Sequence, residues 1–214
     1  MVTPGRIGIF GGTFDPIHVG HLIVAAQLRF VLALGSVVFV PAGRPPHKTG
    51  QDIADNEHRL AMIQIAVGDN SEFTISTLDF DRGGLSYTAD TLALIHEAAA
   101  PGSTLVFLMG QDSFRDFPRW DRPNDIARLA EIGVALRPGT EANVEAILTA
   151  VPAARGRVQI VPVPLIEVSS RDIRRRITRG EPISYQVPPA VERYITTHGL
   201  YQPSSSSPMA QPSP

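Results

Sequence analysis

The sequence predicts an α/β fold: a doubly wound, mostly parallel sheet with helices on both faces and a C-terminal helical part. Three observations carry that expectation. Short, continuous apolar runs recur along the chain, as strands buried on both faces require. Segments of helical periodicity lie between them, so consecutive strands are joined by right-handed helical crossovers and run parallel. The first run, RIGIF at 6–10, leads directly into a glycine-rich loop, GGTFDPIHVGH, and then an apolar helix, LIVAAQLRFVLAL.

Taken in order, residues 6–10 form the first strand, and 19–34 a helix closed by Gly35 in the left-handed position that favours glycine. VVFVP at 37–41 is the second buried strand. Residues 42–54 hold Pro45, Pro46 and Gly50 and read as loop. A helix is expected over 56–67, capped by Asp55 or Asn56, with Leu60, Ile63 and Val67 on one face. A short strand follows at 73–77, a polar loop at 79–85, and a helix capped by Ser86 that runs to about residue 100. TLVFLM at 104–109 is a strand, 123–130 a helix with proline in its first turn, 132–137 a strand and 140–151 a helix. The last strand is expected at 158–163, and closing helices at 170–178 and 189–198. Residues 1–201 read as a single domain. The Ser/Pro-rich 202–214 carry no charge and are expected to be a disordered tail.

Composition narrows the function. With 214 residues, 43% hydrophobic and 19% charged, the chain can build one sizeable core. A formal net charge of −2 supplies no global field for nucleic acid, so none is expected as a partner. The absence of cysteine excludes disulfides, thiolate nucleophiles and cysteine-based zinc sites. No apolar run reaches the roughly 20 residues of a membrane span, and no leader pattern precedes the first strand. The expected location is therefore the cytoplasm, with no membrane partner; homo-oligomerisation is left open.

The glycine-rich loop places His18, Gly20 and His21 where a helix begins. A helix start offers unpaired N–H groups and a partial positive charge, which attract phosphate. Two histidines at i and i+3 share one helical face there. Such a pair can also bind zinc, but no third ligand of matching character lies nearby in sequence. The loop is neither a Walker A loop nor G-x-G-x-x-G. A second candidate, VSSRDIRRR at 168–176, opens a helix after the last strand. Ser169 or Ser170 can cap it, Asp172 suits its first turn, and Arg174 shares a face with Ser170; the plain alternative is a capped basic surface helix. RPPHK at 44–48 adds the phosphate-seeking His47 and Lys48 on a proline-fixed loop.

GGTFDPIHVGHL resembles the (H/T)xGH signature of the nucleotidyltransferases, and VSSRDIR resembles their second signature, I-S-S-T-x-I-R. The departure is Arg171, where that family carries threonine or serine. Within the superfamily, one branch arranges GGTFDPxHxGH, PPHK, SYTxxTL, GQD, a tryptophan, RPG and the second signature in that order. This chain has GGTFDPIHVGH, PPHK, SYTADTL, GQD, Trp120, RPG and VSSRDIR in the same order, closing with Gly199-Leu200-Tyr201. The chain is thereby similar to the nicotinate mononucleotide adenylyltransferases over nearly its whole length, and the fold implied is Rossmann-like.

The resemblance implies transfer of the adenylyl group of ATP to nicotinate mononucleotide, giving deamido-NAD and pyrophosphate, with Mg²⁺ carried on ATP. It implies a catalytic set of His18, His21, Lys48 and Arg174. ATP would be held by Gly11, Gly12, Thr13, Phe14, His18, Gly20, His21, Gly110, Asp112, Ser169, Ser170 and Arg174. The mononucleotide would be held by Thr13, Asp15, His47, Lys48, Tyr87, Thr88 and Trp120, with Trp120 near the pyridine ring and the Tyr87–Thr88 turn at the carboxylate. No resident protein metal site is expected. The attacking group is already a phosphate oxyanion, so no general base is needed. Two alternatives share the signatures: a sister adenylyltransferase acting on nicotinamide mononucleotide or phosphopantetheine, and a non-catalytic nucleotide-binding regulator. Loss of His21 or Arg174 would mark the regulator, and both are present.

Overall fold

A computed structural model describes residues 5–45, 53–68, 70–138 and 143–203. The chain runs β1 (Arg6–Gly12), α1 (Val19–Val31), β2 (Ser36–Pro41), α2 (Asn56–Val67), β3 (Phe73–Ile75), α3 (Leu78–Arg82), α4 (Thr88–Ala98) and β4 (Thr104–Gly110). It continues with α5 (Gln111–Asp116), a 3-10 turn at Phe117–Arg119, α6 (Pro123–Leu129), β5 (Glu131–Leu136), α7 (Val144–Ala150), β6 (Val158–Pro162), α8 (Ser170–Thr178) and α9 (Pro189–Thr197).

The strands form one sheet in the order β3-β2-β1-β4-β5-β6, and every pair is parallel. This is the doubly wound, Rossmann-like order, in which the winding direction reverses between β1 and β4. A ligand crevice is therefore expected beyond the carboxyl ends of those two strands. Alternate residues feed two cores. Phe10, Val106 and Leu108 pack with α1, α2, α8 and α9 on one face. Ile9, Leu105, Phe107 and Met109 pack with α4, α6 and α7 on the other.

Several boundaries differ from the sequence expectation. Helix α1 ends three residues early, because the left-handed residue is Ala33 (φ 51°) and not Gly35. The Leu34 N–H reaches back to the Arg29 carbonyl (2.9 Å), and the Gly35 N–H donates to the Arg6 carbonyl, tying the helix end to β1. Residues 79–82, expected as the start of a polar loop over 79–85, belong to α3; its Asp79 is buried and accepts from the Thr91 hydroxyl (2.6 Å). Ser86 is not a helix cap. The cap position is Tyr87, and the Ser86 hydroxyl accepts instead from the Gly43 N–H (2.9 Å). In GQD, Gly110 ends β4 and α5 begins at Gln111. The expected tail beyond residue 203, together with His47, Lys48 and Gly139, lies outside the described residues. Among the described residues, no helix is long and apolar enough to cross a membrane.

Candidate active site

The first loop is built around two close approaches. A Cβ on Gly12 would stand 2.8 Å from the Phe14 ring. Glycine there lets Phe14 (φ 51°) turn back beneath the loop, where it is fully buried and packs edge-on against His21 with centroids 5.0 Å apart. Phe14 thus supports the site from below, and its side chain is not presented to a ligand. A Cβ on Gly20 would stand 3.0 Å from His18 Nδ1, so glycine makes the room in which the His18 ring lies.

His18 occupies the N-cap of α1 and stacks on His21, ring centroids 3.7 Å apart and planes 24° apart. The His18 main-chain N–H donates to His21 Nδ1 (3.2 Å). That nitrogen must therefore be the acceptor, and in neutral His21 the proton resides on Nε2. His18 is 7% exposed, its Nδ1 is buried without a hydrogen-bond partner, and burial lowers its pKa from 6.5 to about 4. At neutral pH the histidine pair accordingly rests with His18 uncharged.

Helix α8 meets this loop. Ser169 is its cap, accepting from the Asp172 N–H (3.1 Å), which decides between the two serines. Ser170 instead donates its hydroxyl to the Pro16 carbonyl (2.9 Å). Arg174 Nη1 donates to the Asp15 carbonyl (2.6 Å) and lies 3.4 Å from Asp15 Oδ2. Residues more than 150 apart in sequence therefore share one locus. Arg171 is exposed, while Arg175 and Arg176 pair with Asp172. The Asp15 carboxylate is buried. Its Oδ1 accepts from the Tyr201 hydroxyl (2.7 Å) and the Ala54 N–H (3.2 Å).

The remaining candidates lie at the ends of neighbouring strands and helices. Tyr87 is the extended N-cap of α4 and Thr88 its first helical residue. Trp120 is half-buried in the second core, edge-on to Phe107 and Phe117 at 6.0 and 5.7 Å. Its neighbour Arg122 donates to Asp90 of α4 (2.6 Å), tying the tryptophan segment to the helix that Tyr87 opens. At the end of β4, Gln111 accepts from the Arg137 N–H (3.0 Å), and Asp112 lies 3.3 Å from Arg115. The structure thus joins the two signatures directly.

One further residue organises the site and was not singled out by the sequence. Arg59, on α2, is 1% exposed. Its guanidinium donates to the carbonyls of Thr13 (2.9 Å), Ala42 (2.7 Å), Gly43 (3.2 Å) and Ala54 (3.0 Å), and to Asn56. Burial lowers its pKa, and the nearby Asp15 charge opposes that shift. The loops after β1 and β2 are thereby tied to one side chain. Ser86 grips the second loop from the other side through the Gly43 N–H. The signal for Arg59 was available: an arginine in register with Met62, Ile63 and Val67 on a buried helical face.

The cytidylyltransferase-like family model matches residues 9–176. A protein of Thermomicrobium roseum named as a probable nicotinate-nucleotide adenylyltransferase is 55% identical over 92% of this chain and 92% of its own length. A protein of the same name from Roseiflexus sp. is 44% identical over 92% of this chain and 98% of its own. The solved nicotinic acid mononucleotide adenylyltransferase of Plasmodium falciparum, complexed with NaAD, shares the fold. Its TM-score is 0.75 at 22% identity, over 92% of this chain and 97% of that one.

Proposed function

The chain belongs to the cytidylyltransferase-like family, among the nicotinate-nucleotide adenylyltransferases, and from that premise we propose how its residues work. The reaction is transfer of the adenylyl group of ATP to nicotinate mononucleotide. An oxygen of the mononucleotide phosphate bonds to the α-phosphorus of ATP as the bond to the β-phosphate oxygen breaks. Deamido-NAD forms and pyrophosphate leaves. Both substrates are anions and the nucleophile is already deprotonated, so catalysis consists of aligning two phosphates and neutralising the charge between them.

The observation that carries this reading is the meeting of α8 with the histidine loop, through Ser170 to Pro16 and Arg174 to Asp15. In it, His18, His21 and Arg174 grip the triphosphate, assisted by Lys48. The main-chain N–H groups at the start of α1 supply further donors. Gly11, Gly12 and Thr13 contribute backbone, and Gly110 and Asp112 hold the nucleotide sugar. Tyr87, Thr88 and Trp120 receive the nicotinate, with His47 at its phosphate. The donors gathered at the loop are nitrogens, and the loop's one carboxylate is already held by Tyr201, Ala54 and Arg174. That set suits phosphate oxygens better than a hard cation. Mg²⁺ accordingly arrives on the triphosphate, as part of the substrate.

The test is pyrophosphate release from MgATP with nicotinate mononucleotide, nicotinamide mononucleotide and phosphopantetheine offered in turn. Release is expected to be fastest with the nicotinate acceptor. A higher kcat/KM with either other acceptor would reassign the substrate, and ATP binding with no release would leave a binding protein.

A further inference from the structure

Tyr201 belongs to the closing Gly199-Leu200-Tyr201, which the reaction above does not use. The chain leaves α9 through two left-handed residues, Gly199 (φ 59°) and Tyr201 (φ 63°). Glycine accepts that conformation freely, but a tyrosine held there is a strained residue kept in place by its contacts. Those contacts reach both signatures. The Tyr201 carbonyl accepts from the Thr178 hydroxyl at the end of α8 (3.2 Å), and its own hydroxyl donates to Asp15 Oδ1 (2.7 Å) across 186 residues. Burial and the adjacent Asp15 charge push the phenol above its ordinary range, so it stays a hydroxyl donor.

Asp15 is 1% exposed, and its two oxygens are not equivalent. Oδ1 is occupied by Tyr201 and the Ala54 N–H. Oδ2 makes no hydrogen bond and faces Arg174 Nη1 at 3.4 Å, while that nitrogen is engaged with the Asp15 carbonyl at 2.6 Å. The guanidinium is therefore ion-paired with the buried carboxylate at 3.4 Å, with no hydrogen bond between the two side chains. If the carboxylate were free to rotate, this long pair would tighten into a charge-assisted hydrogen bond, the strongest option open to two such groups in a buried site.

We propose that Tyr201 is a positioning residue for adenylyl transfer: by fixing the rotation of the Asp15 carboxylate, its hydroxyl keeps Arg174 available to the ATP phosphates. The inference rests on the reading that Arg174 grips those phosphates. It predicts a loss confined to the nucleotide half of the site.

The experiment uses the full chain and three variants, Tyr201→Phe, Thr178→Ala and Asp15→Asn, with the Asp15→Asn/Tyr201→Phe double variant. Two readouts are taken: the affinity for α,β-methylene-ATP by calorimetry, which needs no acceptor, and steady-state kinetics. Tyr201→Phe is expected to weaken the ATP analogue and raise the KM for ATP about tenfold, leaving the KM for nicotinate mononucleotide within about twofold. Thr178→Ala, which loosens the same segment without touching Asp15, is expected to lower the melting temperature and leave nucleotide affinity unchanged. Adding Tyr201→Phe to Asp15→Asn should cost nothing further, because the hydroxyl acts through that carboxylate. Unchanged analogue affinity, equal losses on both substrates, additive losses in the double variant, or a Tyr201→Phe protein that cannot fold would each overturn the proposal. Absence of turnover by the unsubstituted protein, with the analogue pattern intact, would instead refute the substrate assignment and leave the role of Tyr201 standing.

Discussion

His18 and His21 lie ring on ring, 3.7 Å between centroids, with the His18 main-chain N–H bonded to His21 Nδ1. Two imidazolium ions could not share that arrangement without a like-charge penalty. Burial resolves it by keeping His18 neutral, with a pKa of about 4. The start of α1 thus presents oriented N–H groups more than a pair of cations.

The first prediction concerns pH. His18 titrates near 6.5 when unfolded and near 4 when folded, so the unfolded chain binds the proton more tightly. Its contribution to stability is complete above pH 6.5 and is lost as pH falls from there toward 4, amounting to about 3 kcal/mol. Urea denaturation of the unsubstituted protein and of His18→Gln, at pH 7 and at pH 4.5, isolates it. The pH-dependent loss should shrink in the variant; parallel curves would mean that His18 titrates normally.

Replacing His21 removes the donor nitrogen whose tautomer the His18 N–H sets. His21→Ala should lower kcat by about 10² or more, the scale of one donor strengthened in the transition state. The fold should survive, because the substitution removes contacts confined to the start of α1. Turnover near that of the unsubstituted protein would take His21 out of the mechanism.

Arg59→Met would leave the carbonyls of Thr13, Ala42, Gly43 and Ala54 without the donor they now share. Each unpaired buried acceptor costs about 1–3 kcal/mol before relaxation and water entry. A net loss of at least about 3 kcal/mol in a denaturant titration is expected. A loss under about 1 kcal/mol, within the range of an ordinary surface substitution, would show that the two loops hold themselves.

Trp120→Ala tests the acceptor half. The ring stands edge-on to Phe107 and Phe117, leaving part of it for a ligand. The KM for nicotinate mononucleotide should rise about tenfold, a stacking contact of roughly 1–1.5 kcal/mol, with the KM for ATP little changed. Equal rises in both would assign Trp120 to packing alone.

Where local chemistry decides structure, the sequence was legible. Helix α8 has the expected bounds, Ser170–Thr178, because a serine cap, an early aspartate and late arginines all act within its own turns. The parallel sheet followed from the alternation of elements, whereas the reversal between β1 and β4 is set by pairing across the sheet. Misread features depend on distant partners. Ala33 takes the left-handed turn expected of Gly35 because Gly35 is committed to pairing with Arg6. The short α3 is anchored by Asp79 to Thr91, thirteen positions being spanned from Asp79 through Thr91 inclusive. Ser86 looked like a cap because nothing in its neighbourhood reveals Gly43. Arg59 was hidden in an apolar face, where its charge is tolerable only because carbonyls from two loops converge on it.

The hydroxyl contact between Tyr201 and Asp15 joins the segment after α9 to the first loop, and this has a consequence for biosynthesis. Residues are made in order, and β1 must wait for β4 before its second edge is paired. Even a nascent chain with all six strands complete still lacks the hydroxyl that bonds Asp15 Oδ1. The loop around Asp15 is completed only after Tyr201 has been synthesised and is free to dock, so shorter nascent chains expose an unfinished loop to chaperones and proteases.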